Sequence, residues 1–113
     1  MSQTHVAGFV TTNLDSKSIN DGFLAAMSVM LAKLLHTDVE FVTLELQPNV
    51  AMVKAASSAP MLNLRLFHNS DCVNSDTKHG FAQQIAAWLA KHVKVPQDRV
   101  LVLFIDTRCC SVG

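Results

Sequence analysis

The sequence predicts one α/β domain built from two βαβ units, with a four-stranded mixed sheet carrying two helices on one face. Three observations carry the prediction. The chain has a faint internal repeat: Leu31-Ala32-Lys33 recurs as Leu89-Ala90-Lys91, and Val42 and Val100 stand at the same distance beyond them, each opening an apolar run. Apolar residues recur at helical spacing ahead of each of those runs. Short runs of strand-forming residues precede each helical stretch, so each half reads strand, helix, strand.

The first strand is expected over residues 5–12, followed by a turn at 13–17. Ser18 is a candidate N-cap with Asp21 three residues on, and Phe23, Met27, Leu31, Leu34 and Leu35 share one helical face. His36-Thr37-Asp38 stops that helix. The second strand, residues 41–46, alternates Thr43 and Glu45 against Val42, Leu44 and Leu46. Residues 47–49 turn the chain, residues 51–53 suit a short edge strand, and residues 55–60 are small and turn-like. The third main strand, 61–67, sets Leu62, Leu64 and Leu66 against Asn63 and Arg65. A polar loop over 69–76 leads to a second helix capped by Ser75 or Asp76, with an apolar stripe of Phe81, Ile85, Trp88, Leu89 and Val93. Pro96-Gln97-Asp98 leads into the last strand, 100–105, which is apolar on both faces. Such a strand is covered on both sides. Two helices cover one side, so neighbouring subunits are expected on the other.

Composition narrows the function. Half of the 113 residues are hydrophobic and 16% are charged, with zero formal net charge. No block of Lys or Arg stands out, which argues against nucleic acid and acidic membranes as partners. No apolar run reaches the roughly 20 residues that span a bilayer. The opening residues lack a basic segment followed by an apolar one, so no signal peptide is expected. The three cysteines, Cys72, Cys109 and Cys110, read as reduced thiols of a cytoplasmic protein. A strained disulfide or soft-metal site at Cys109-Cys110 is the alternative. Metal-ligand spacing with His is absent and no cofactor motif is present, so neither metal nor cofactor is expected.

Several ordered segments carry a resemblance. Phe9-Val10-Thr11-Thr12-Asn13-Leu14, Asp21-Gly22-Phe23-Leu24, Leu46-Gln47-Pro48 with Ala51-Met52, Ser57-Ser58-Ala59-Pro60, Gln97-Asp98-Arg99-Val100 and Val112-Gly113 follow one another as in a known family. In that order and spacing the chain resembles the macrophage migration inhibitory factor and D-dopachrome tautomerase family. The resemblance covers nearly all of residues 1–113 as one domain. By this resemblance residues 1–5 are expected to be an N-terminal extension and the C-terminal tail to be short. It implies a homotrimer whose sheets enclose a channel, and keto–enol tautomerisation with the free amine of an N-terminal proline as base.

That proline position falls on Val6, whose nitrogen is an amide and no base. The other positions of the implied pocket also differ. A Lys that pairs with substrate carboxylate maps to Thr37, and the Ile of a Ser-Ile-Gly turn maps to Asn69. The Tyr and Asn of the last strand map to Leu101 and Leu103. The Cys-x-x-Cys of some members maps to Met61-Leu62-Asn63-Leu64, removing thiol chemistry there. Two groups are candidate substitute bases: the imidazole of His5, of a residue type that ordinarily titrates near neutral pH, and the α-amine of Ser2, whose class has a reference pKa of about 7.7–8.0.

Other residues have plainer expectations. His36 and His79 read as helix-end and solvated residues, Lys54 and Arg65 as a loop charge and an outward strand face against a new anion site. Ser57-Ser58 reads as turn chemistry, and Met27, Met30, Met52 and Met61 as core. The expected function is therefore a protein with a degenerate tautomerase pocket acting by protein binding, cytokine-like or regulatory, without efficient catalysis. The alternatives are a weak or altered isomerase using a non-proline base, and a structural subunit that co-assembles with an active relative. The expected location is cytoplasmic, with leaderless secretion as the family alternative, and the expected partners are copies of itself and a receptor or other protein.

Overall fold

The computed structural model describes residues 3–108. Its elements run β1 (Val6–Thr12), a 3-10 turn (Ser16–Ser18), α1 (Phe23–Leu34), a 3-10 turn (Val39–Phe41), β2 (Val42–Gln47), β3 (Leu62–His68), α2 (Lys78–His92), a 3-10 turn (Gln97–Arg99) and β4 (Val100–Asp106). The sheet order is β2-β1-β3-β4, with β1/β2 and β3/β4 parallel and β1/β3 antiparallel. Each parallel pair is one βαβ unit, and the antiparallel seam joins the two.

Both helices press on one face of the sheet. Val6 and Val10 of β1 and Leu62, Leu64 and Leu66 of β3 turn inward by strand alternation. They meet Phe23, Met27 and Leu31 of α1 and Ile85 and Leu89 of α2 in one buried core. Gly8 also faces this core. A Cβ there would stand 2.6 Å from a Leu44 methyl and 3.3 Å from one of Leu64, so its bare backbone lets those side chains close over β1. Met27 and Met61 are buried and Met30 packs against the core, whereas Met52 lies outside it.

Among the described residues no helix covers the opposite face of the sheet. Leu101 and Leu103 are 49% and 44% exposed there. Beside them Phe67 meets Phe9 edge-to-face at 5.5 Å, and the Arg65 guanidinium lies 5.6 Å from the Phe9 ring. A single chain therefore covers β4 on one side only.

Three local expectations are corrected. Ser18 does not cap α1. It sits in the first 3-10 turn, where the Asp15 carboxylate accepts from the N–H groups of Lys17 and Ser18, and α1 starts after Gly22 with no side-chain cap. Ser75 and Asp76 do not cap α2. Its N-cap is Thr77, whose hydroxyl donates instead to the Cys72 carbonyl. Residues 51–53 form no strand; the chain makes a narrow turn just beyond them, with Lys54 and Ser57 bridged through two 3.0 Å backbone bonds. Ala55 and Ala56 at its tip both have φ near +60°. That left-handed pair suits a tight hairpin but carries a steric cost of about 1–2 kcal/mol per non-glycine residue. No helix among the described residues is long and apolar enough to cross a membrane.

Candidate functional site

The site grows from one end of the sheet, where β1 and β2 begin and β3 and β4 finish. The register places Val6 beside Val42 and His68, and His68 beside Asp106. Val6 is 2% exposed and part of the core, so its side chain lines the floor of this end.

Thr37 reaches this end through the way α1 stops. His36 takes a left-handed φ of 54°. The Thr37 N–H then bonds the Ala32 carbonyl at 2.9 Å and the His36 N–H the Lys33 carbonyl at 3.4 Å, which is the Schellman pairing. The turn leaves the Thr37 hydroxyl free to donate to the Thr4 carbonyl at 2.7 Å.

Asn69 is placed by the residues on either side of it. The His68 Nδ1 accepts from the Ser70 N–H at 3.1 Å, closing a small side-chain turn under Asn69. The Asn69 amide then faces residues 3–5. Its Oδ1 accepts from the His5 N–H at 2.7 Å and its Nδ2 donates to the Gln3 carbonyl at 3.1 Å. The His5 ring packs edge-to-face on Phe41 at 5.1 Å.

Beside this strap lies a cleft of about 260 Å³, lined by His5, Val6, Phe41, Phe67, Asn69 and Thr107 among others. That is smaller than the roughly 300–1,000 Å³ of ordinary small-molecule sites. Its lining is aromatic and neutral-polar, with no Lys or Arg. Among the described residues, an organic anion entering it would meet hydroxyl and amide dipoles and no Lys or Arg.

His68 lies under the cleft and was not singled out in the sequence as a buried group. It is 1% exposed, its Nε2 has no hydrogen-bond partner among the described residues, and its ring edges against Phe104 at 6.2 Å. Burial pulls its pKa below the ordinary 6.5, opposed by the nearby Asp106 carboxylate and assisted by Arg108 and Lys78. Asp106 itself is drawn down to about 2 by its bonds with Arg108. The same guanidinium spans to Asp71 at 2.7 Å and to Asp106 at 2.9 Å across the rim. The apolar stripe that hides His68 gives no hint of its burial, because a terminal strand His reads equally well as solvated.

Of the residues singled out from sequence, the structure brings His5, Val6, Thr37 and Asn69 together. Leu101 and Leu103 are elsewhere. Leu101 stands beside Asn63 and Val6 beside His68, five positions apart along β3, or roughly 17 Å. Leu101 borders a different cavity, with Lys54, Asn63 and Arg99, and both leucines belong to the helix-free face. Within one chain they do not line the cleft. Lys54 and Arg65 form no joint anion site: the Lys54 ammonium donates to the Asp98 carbonyl, and Arg65 covers Phe9. His36 and His79 are exposed, as expected of helix-end and solvated residues. Ser2, Cys109 and Cys110 lie outside the described residues. Among the described residues no three His, Cys, Asp or Glu side chains are grouped to hold a metal ion.

Comparison with known proteins points one way. The family model described as macrophage migration inhibitory factor (MIF) matches residues 8–113. A macrophage migration inhibitory factor homolog of Brugia malayi is 26% identical over 104 residues, covering 92% of this chain and 90% of the relative. The macrophage migration inhibitory factor of Meriones unguiculatus is 21% identical over the same share of both chains. Among solved structures, that of Trichinella spiralis superposes with a TM-score of 0.86 at 15% identity, over 95% of this chain and 94% of the other. That of Oncomelania hupensis gives 0.81 at 22% identity, over 88% and 72%.

Proposed function

The chain belongs to the macrophage migration inhibitory factor family, and from that premise we propose that it keeps the family scaffold while working by protein binding, in a cytokine-like or regulatory role, and not by tautomerisation. One observation carries the reading. The position that resembles the family's terminal proline is Val6, buried at the start of β1 and preceded by peptide rather than by a free amine. Its nitrogen is an amide with a delocalised lone pair, and no proton can be shuttled through it. The missing cation supports the same conclusion. Thr37 and Asn69, which resemble pocket positions of the family, spend their polar groups on residues 3–5.

The second reading is a weak isomerase with His5 as substitute base, favoured by the imidazole lining the cleft. The amine of Ser2 is the other group of that reading.

The scaffold is proposed to assemble as a homotrimer, because the exposed Leu101 and Leu103 need cover. A second copy would also be the natural source of those side chains near a cleft they do not reach within one chain. A cytoplasmic location, with export that needs no leader, goes with this reading.

A tautomerase assay on phenylpyruvate and dopachrome methyl ester tests it. No turnover above buffer is expected. Clear turnover that disappears in His5→Ala, or on blocking the terminal amine, would overturn the binding reading in favour of the isomerase.

A further inference from the structure

We propose that Thr37, Asn69 and Phe41 form a groove for an extended peptide backbone, and that the chain's own residues 3–5 are its resident occupant. The proposal deepens the protein-binding reading by naming the class of ligand, a short extended peptide bearing an imidazole or aromatic side chain.

The geometry is that of strand recognition made with side chains. The Asn69 amide pairs with the carbonyl of Gln3 and the N–H of His5, two bonds to alternate residues on one edge of the peptide. Between them the Thr4 carbonyl accepts from Thr37 at 2.7 Å. Three main-chain groups of three consecutive residues are thus satisfied by two side chains from separate elements. None of these bonds uses the occupant's side chains, so they bind any extended segment. Selectivity falls to the fifth residue, whose ring rests on Phe41. Recognition modes that add a strand divide the work in the same way, with backbone bonds for affinity and side-chain contacts for specificity.

Both clamp residues are held for this task. The Schellman turn at His36 fixes Thr37, and the bond from the Ser70 N–H to His68 fixes the turn at Asn69. The occupant needs no such preparation, because its covalent link to β1 keeps its local concentration near the millimolar range typical of a short tether. A peptide arriving from another molecule must displace it. The strap therefore sets a threshold, and only a segment that stacks better on Phe41 or makes further contacts along the cleft takes its place.

The test is by NMR on the full chain. Amide hydrogen exchange at His5 is expected to be slowed at least tenfold relative to an unstructured peptide, and to return to the unstructured rate in Asn69→Ala. Val10, in the core of β1, should keep its protection in both proteins, showing that the fold is intact. The second arm uses a chain that starts at Val6, titrated with acetyl-Ser-Gln-Thr-His-amide. Millimolar peptide should shift the Thr37 and Asn69 resonances, with no shift when Asn69 is alanine.

Unprotected His5 in the parent chain, or protection that survives Asn69→Ala, would overturn the clamp. A truncated, folded chain that ignores millimolar peptide would overturn the groove. Neither result depends on whether the protein turns over phenylpyruvate, so failure here is distinct from failure of the binding reading.

Discussion

The two ends of the sheet are stabilised in different ways. At the end where β1 finishes and β3 and β4 begin, long polar side chains tie loop to loop. Asn13 donates to the carbonyls of Ser58 and Ala59 at 3.0 Å and accepts from the Met61 N–H at 2.9 Å. Arg99 donates to the carbonyls of Pro60, Ser57 and Ala59 at 3.0 Å each. The buried Thr12 hydroxyl donates to the Met61 carbonyl at 2.7 Å. At the opposite end, by the cleft, three bonds hold a peripheral segment, the Arg108 guanidinium ties the rim, and one buried imidazole nitrogen has no partner among the described residues. The first arrangement fixes the fold. The second leaves a segment able to come and go without unfolding what lies beneath it, as binding surfaces require.

Substitutions should separate the two ends by size of effect. Arg99→Ala removes a guanidinium that gathers four carbonyls, that of Lys54 at 3.5 Å being the longest bond. Those carbonyls are near solvent and regain some bonding to water, so a loss of about 2–3 kcal/mol is expected in urea unfolding. Asn13→Ala should cost about 2 kcal/mol for the same reason. Losses under about 0.5 kcal/mol in both would break the contrast.

An intermediate effect belongs to pH. His68 is held neutral by burial, so its folded pKa lies below its unfolded value of about 6.5. The unfolded chain then binds the extra proton first as pH falls. His68 contributes fully above about pH 6.5, and stability declines as pH drops from there through its folded pKa. Asp106, Arg108 and Lys78 are the charged groups acting on it. Urea midpoints at pH 7.5 and pH 5.5 should differ more for the parent chain than for His68→Leu. Equal differences would mean that another group governs the acid response.

Smaller still is His36→Gly, which relieves the left-handed strain at the end of α1. A gain of about 1 kcal/mol is expected, seen as a raised melting temperature with His5 protection unchanged. The smallest global effect should come from Thr37→Val, within about 1 kcal/mol in stability. It should nonetheless speed exchange of the Thr4–His5 segment. A large global loss would mean that the strap is part of the core structure and no separable occupant.

Much of this fold was legible in the sequence because it rests on periodic burial. The stripe Phe23, Met27, Leu31 and the alternation Leu62, Leu64, Leu66 lie where their spacing puts them. Caps were less legible. Ser18, Ser75 and Asp76 have the right chemistry, but several neighbouring Asp, Asn, Ser and Thr residues compete with them; Asp15 caps the 3-10 turn that holds Ser18, while Gly22 and Thr77 occupy the N-cap positions of α1 and α2. For the site, the residues were legible but their arrangement was not. Val6, Thr37 and Asn69 stood out as replaced positions. That Thr37 and Asn69 both grip residues 3–5 depends on contacts between parts of the chain more than 30 residues apart, which no local pattern encodes. Leu101 and Leu103 join the cleft by resemblance alone, and within one chain the strand register separates them from it.

The turn at Ala55 and Ala56 has a practical consequence. Its tip is exposed, its flanks are pinned by the Lys54–Ser57 bridge, and it stands at the braced end of the sheet, away from the cleft. A fluorophore, affinity handle or short epitope inserted between those two alanines would relieve the left-handed pair and leave residues 3–5 unencumbered. Labels attached there would let the groove be studied on surfaces and in mixtures, where a label at the N-terminus would sit beside the very segment under measurement.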